Sequence, residues 1–164
     1  GAALAETLLS DQRVQWVGLA ARDSLRLEAG LCLHGQDIDR STDPVSAALM
    51  WAIPKPVREK GGFLGAQALA KKIAAGPAEK RGGLKPEGRQ PRRECMELFT
   101  ERGERAGRVT SGGFGPSAEA PVAIGYVATE LAKPGIRLFA AVRGNRLPID
   151  VHSLPFVPHR YRKG

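Results

Sequence analysis

Beyond residue 78 the chain reads as six short runs, alternating or continuously apolar, cut apart by glycine and polar turns. They are Arg81–Lys85, Cys95–Thr100, Arg105–Ser111, Val122–Ala128, Ile136–Val142 and Leu147–Ser153. Runs of this length cannot each cover a core as helices, whereas β-strands present one face every second residue and pair across tight turns. Arg143-Gly144-Asn145-Arg146 is a natural hairpin turn, because glycine and asparagine tolerate positive φ. Six strands so spaced fit a small antiparallel barrel or sandwich. The expected organisation is therefore α+β, with helix-containing sequence over 1–77 and an all-β unit over 78–164.

The first part carries helical signals. Residues 2–9 read as a helix end, and Val14–Leu19 as a β-prone run. Asp43-Pro44 reads as an N-cap and first helical position for a helix over 44–51, stopped by Ile53-Pro54-Lys55-Pro56. A further helix is expected over Leu64–Ala75, closed by Gly76-Pro77. Between them, Arg22 and Arg26 stand i, i+4 in a helical run that Gly30 terminates. Like charges at that spacing repel, so an anion belongs nearby. Either Asp23 and Glu28 pair with both arginines on a solvated face, or a guanidinium is held for a ligand carboxylate or phosphate.

Twenty glycines and twelve prolines beside 42% apolar residues describe a turn-rich folded chain rather than a disordered one. No apolar run is long enough for a membrane helix, and Gly1–Glu6 lacks the basic flank of a signal peptide. Cys32 and Cys95 form no CxxC, and Cys32-x-His34 has no second pair with ligand spacing, so neither a disulfide framework nor a metal site is expected.

The glycine-rich Gly112–Pro116 lacks the spacings that cradle phosphate and reads as a bulged turn. Three histidines, at 34, 152 and 159, assemble into no nucleophile or acid–base set. The net charge of +8 concentrates in residues 133–164, where Lys133, Arg137, Arg143, Arg146, Arg160, Arg162 and Lys163 face the single Asp150. Such a field suits a small polyanion or an acidic protein. Aromatics interleaved for base stacking are few, so nucleic acid is not the expected partner.

Several blocks carry a family resemblance. Gly18–Leu33 (GLAARDSLRLEAGLCL), Asp37-Ile38-Asp39 with Thr42–Val45, Gly62–Ala66, Gly107–Phe114, Ala123–Val127, Ala132–Gly135 and Pro155–Tyr161 occur in this order. Together they resemble the C-terminal portion of the aminomethyltransferases of the glycine cleavage system, the T-protein family. The resemblance implies the end of a folate-binding α/β domain followed by a small antiparallel six-stranded β-barrel. The implied activity takes the aminomethyl group from the dihydrolipoyl arm of the lipoyl carrier H-protein, with tetrahydrofolate as substrate. Ammonia and 5,10-methylenetetrahydrofolate are released.

The implied folate contacts are Arg22, in Ala-Arg-Asp, and Tyr161. No metal, membrane or nucleic-acid partner is implied, and the implied setting is bacterial cytoplasm or mitochondrial matrix. The family's catalytic aspartate and pterin-gripping acid match no position here, so no catalytic residue is assigned. The isolated 164 residues are expected to show no transfer activity. His34 stands where the family has tyrosine. T-like folate-binding modules of dimethylglycine or sarcosine dehydrogenases are the alternative, disfavoured by the full Arg22–Leu33 and Pro155–Tyr161 blocks.

Overall fold

The computed structural model describes residues 1–88, 95–142 and 144–161. Arg143, which opens the expected hairpin turn, and Arg162 and Lys163 of the basic tail lie outside the described residues. The helices are α1 (Ala2–Leu9), α2 (Leu19–Glu28), α3 (Lys55–Lys60) and α4 (Ala66–Ala75), with a 3-10 turn at Met50–Ala52. Six strands follow: β1 (Glu79–Pro86), β2 (Glu97–Phe99), β3 (Arg105–Gly115), β4 (Ala120–Ala128), β5 (Arg137–Val142) and β6 (Asn145–His152). They close into an antiparallel barrel in the order β1-β4-β3-β2-β5-β6, so the sandwich alternative does not apply.

The period-2 rule places the core. Along β4, Ala123 and Val127 join Leu84, Leu98, Val109, Leu138, Ala140, Ile149 and Val151 in the main hydrophobic cluster. The alternate residues Val122 and Ile124 point the other way and pack with Leu27 of α2, beside Ala118 and Phe156. Both faces of β4 are thus covered, which explains why Val122–Val127 reads as an unbroken apolar run. Leu27 is 1% exposed. Burying it contributes roughly 1.5–3 kcal/mol and fixes α2 against the barrel wall.

Four local expectations are corrected. Val14–Leu19 forms no strand: residues 14–18 are irregular, and Leu19 begins α2 with Trp16 and Val17 exposed. At 44–51, Asp43 does cap, its Oδ1 accepting from the Val45 and Ser46 N–H groups at 3.0 and 2.9 Å. The expected helix nevertheless stays a turn, because Ala48 has φ 54 and leaves the right-handed spiral after one revolution.

Gly112–Gly115 are strand, not turn; the register shift falls earlier, between Val109 and Ser111. Their glycines serve close packing, since a Cβ at Gly113 would lie 3.2 Å from Leu27 Cδ1 and one at Gly115 2.9 Å from Glu28 Oε1. The fourth correction concerns Arg26, which pairs with Asp23 and Asp37 rather than Glu28.

Candidate functional site

A single turn of α2 separates two arginines with opposite fates. Arg26 is 9% exposed, and all three nitrogens of its guanidinium are engaged. Nε donates to Asp23 Oδ1 at 2.7 Å, Nη1 to Asp37 Oδ2 at 2.5 Å, and Nη2 to Ser111 Oγ at 2.9 Å and Gln36 Oε1 at 3.2 Å. Asp37 completes its own set with the Leu33 N–H at 2.8 Å and the Thr110 hydroxyl at 2.5 Å. This cluster ties α2, the loop after it and β3 together. Arg22 is exposed and has no ion pair or side-chain hydrogen bond among the described residues.

The C-terminal segment is tied to the same helix end. The Phe156 and Val157 N–H groups donate to Glu28 O at 2.9 and 3.2 Å, and His159 Nε2 bonds to Ala29 O at 3.0 Å. An acceptor carbonyl requires that Nε2 carry the proton. The His159 and Tyr161 rings stack at 4.7 Å. This path carries Tyr161 to the mouth of a cavity of about 610 Å³, which Arg22, Ala21, Leu25, Pro158 and Arg160 also line. Arg22 and Tyr161, at opposite ends of the sequence, are brought together. His34 lines neither this cavity nor the larger one; it is exposed and bridges to Ile38.

The larger cavity, about 1020 Å³, shares Ala29, Leu31 and the His159–Tyr161 stack with the smaller one. Gly30–Cys32, Trp51, Lys80, Arg81 and His152 form much of its wall. Behind it, the Tyr126 hydroxyl donates to Asp37 O at 2.8 Å. Burial pushes that hydroxyl up to about 12; Arg81 and Arg108 pull it down, and Asp37 and Cys32 push it up. Tyr126 therefore stays a neutral donor across the physiological range.

Glu28, the carboxylate at the smaller cavity, spends Oε1 on the Ser117 and Ala118 N–H groups at 2.6 and 2.9 Å. Among the described residues no group of three metal-ligating side chains comes together, and no helix is long and apolar enough to cross a membrane.

The basic tail is partly neutralised. Arg137 donates to Asp150 at 2.9 and 3.1 Å, and that hydrogen-bonded pair holds the Asp150 carboxyl below its usual range. Arg146 lies over the Phe99 ring at 5.3 Å. Asp37, Arg81 and Trp51 were not singled out as site residues from sequence. Asp37 reads as one more charge in a polar loop, and Arg81 as one more basic residue beside Lys80.

Residues 80–158 match the family described as the glycine cleavage T-protein C-terminal barrel domain, and residues 1–56 the GCVT N-terminal domain. Mitochondrial aminomethyltransferase of Flaveria trinervia is 48% identical over 162 residues, covering 98% of this chain and 40% of that protein. Its counterpart from Gallus gallus is 44% identical over 158 residues, covering 96% and 40%. The crystal structure of the glycine cleavage system aminomethyltransferase T from Bartonella henselae superposes with a TM-score of 0.93 at 57% identity, covering 99% of this chain and 45% of that one. The chain thus spans about 40% of the length of the curated relatives it matches.

Proposed function

The chain belongs to the glycine cleavage T-protein family, and from that premise we propose that it forms the folate-facing C-terminal part of an aminomethyltransferase. The parent enzyme takes the aminomethyl group on the dihydrolipoyl arm of the H-protein, transfers its one-carbon unit to tetrahydrofolate, and releases ammonia. Residues 1–77 close the folate-binding domain, and 78–164 form the barrel. The setting is mitochondrial matrix or bacterial cytoplasm, without a metal, nucleic-acid or membrane partner.

The observation that carries this reading is the shared cavity of Arg22 and Tyr161. Folate ends in glutamyl carboxylates, and an unpaired guanidinium at a cavity wall binds a carboxylate through two parallel N–H···O bonds. Tyr161, held by its stack on His159, supplies a hydroxyl donor or a ring face to the same ligand. Arg26 is a structural neighbour: its charge is consumed by Asp37 and Asp23.

Arg22→Gln in the full-length enzyme is expected to raise KM for tetrahydrofolate about 10–100-fold, the loss of one charge-assisted carboxylate contact. The kcat should change far less, because the lost interaction is shared by ground state and transition state. Tyr161→Phe and Tyr161→Ala separate hydroxyl from ring. Steady-state kinetics at varied folate measure all three, and an unchanged KM in Arg22→Gln removes Arg22 from the site.

A further inference from the structure

The larger cavity has an unusual charge balance. Among the described residues its ionisable lining consists of Lys80, Arg81, His152 and His159 with the Cys32 thiol and the Tyr161 hydroxyl, and contains no aspartate or glutamate. Arg81 is only 6% exposed, yet its hydrogen bonds go to carbonyls: Nε to Ala47 O at 2.7 Å and Nη1 to Gly30 O at 3.1 Å. It makes no ion pair among the described residues.

A buried cation without a counter-ion is costly, and a guanidinium has more N–H donors than these two bonds use. The carboxylates around Tyr126 are committed elsewhere, Asp37 to Arg26 and Thr110, Glu79 to Arg108 at 2.5 Å. Tyr126 itself remains neutral and supplies no counter-charge. Apart from Ser153, the rest of the described wall is apolar or aromatic, with Trp51, Leu31, Val151 and the Tyr161 ring.

We propose that this cavity, which shares the His159–Tyr161 stack with the Arg22 cavity, holds a second anion contact, in which Arg81 backed by Lys80 receives a carboxylate carried on an aromatic body. The two carbonyl bonds hold the guanidinium plane in place, so the carboxylate meets a preoriented donor edge. The aromatic body lies against Trp51 and the apolar wall.

Equilibrium dialysis of the full-length parent enzyme with benzoate and with its uncharged isostere benzamide tests this. Benzoate should bind at least about tenfold more tightly, the worth of a charge-assisted contact. Arg81→Gln should abolish that preference and Arg81→Lys should keep part of it.

Should Arg81→Gln fail to fold, the wild-type enzyme still decides. Benzoate must slow alkylation of Cys32, which lines the cavity, by about 1 + [L]/Kd, and leave the exposed Cys95 unaffected. Equal affinity for the two probes overturns the proposal. So does a preference that survives Arg81→Gln, or benzoate binding without protection of Cys32. No benzoate binding at all also overturns it, as it would if a carboxylate from outside these 164 residues already neutralised Arg81.

Discussion

Asp37→Ala is expected to destabilise the fold by about 3 kcal/mol, the low end of the cost of breaking a buried ion pair, because Arg26 loses its buried partner but keeps the half-exposed Asp23. The Asp37 side chain is fully enclosed, and the Arg26 side chain is 9% exposed. Removing the carboxylate strands the guanidinium Nη1 and the Leu33 N–H, while the Thr110 hydroxyl falls back on Ile124 O at 3.2 Å. Against a typical total stability of about 5–15 kcal/mol, such a loss leaves a substantial unfolded fraction near 37 °C.

Urea unfolding at neutral pH, followed by circular dichroism, measures the effect. Arg26→Met combined with Asp37→Leu should cost clearly less than the two single changes summed, because the one charge it leaves unpaired, Asp23, is half-exposed to water. A single-variant loss below about 1 kcal/mol would mean that the cluster relaxes or takes up water, and its assigned role would fall. The cluster also sets the pose of α2, which presents Arg22 one turn upstream of Arg26. In the parent enzyme, partial rescue of folding by the double variant should therefore not restore normal folate affinity.

The barrel was legible from sequence because strand signals are local. Each of the six runs contains enough alternating or apolar residues to identify itself, and glycine marks the breaks. The C-terminal end of α2 was legible for a similar reason: Gly30, at φ 70, follows the helix where the spacing of Leu27 and the arginines ceases, whereas its start at Leu19 was hidden in the β-prone run.

The burial of Arg26 was not legible. It depends on Asp37 and Ser111, which reach it only after the barrel has closed and α2 has packed on β3 and β4. The misread Gly112–Gly115 segment has the same origin. Glycine there answers to Leu27 and Glu28 across space, and a local reading of glycine defaults to a turn. Pairing Arg22 with Tyr161 required the family resemblance, since nothing local at either position refers to the other. Arg81 is the converse case: its charge was plain in the sequence, but its isolation from carboxylates is a property of the packed cavity wall.

Gly125→Ala should separate a close-packing glycine from a dispensable one within a single cross-strand pair. Gly82 of β1 and Gly125 of β4 stand directly opposite each other, so strand propensity treats them alike. A Cβ at Gly82 meets nothing within 4 Å, whereas one at Gly125 would lie 2.4 Å from Arg108 O and 2.8 Å from Leu84 Cδ1. The Arg108 carbonyl cannot retreat cheaply. Its residue lies beside the β3 irregularity, its guanidinium sits 4.8 Å over the Tyr126 ring, and it pairs with Glu79 of β1 at 2.5 Å.

Accommodating one methyl at Gly125 therefore means moving β3 away from β4 along the longest pairing in the barrel, at a cost of about 3 kcal/mol or more. Gly82→Ala should fall within about 1 kcal/mol of wild type and can stabilise by restricting the unfolded chain. Paired urea titrations of the two variants give the comparison directly. If both alanines cost the same, β3 and β4 have room that the Gly125 geometry denies. The tight approach would then be no part of what holds α2 and its arginines against the barrel.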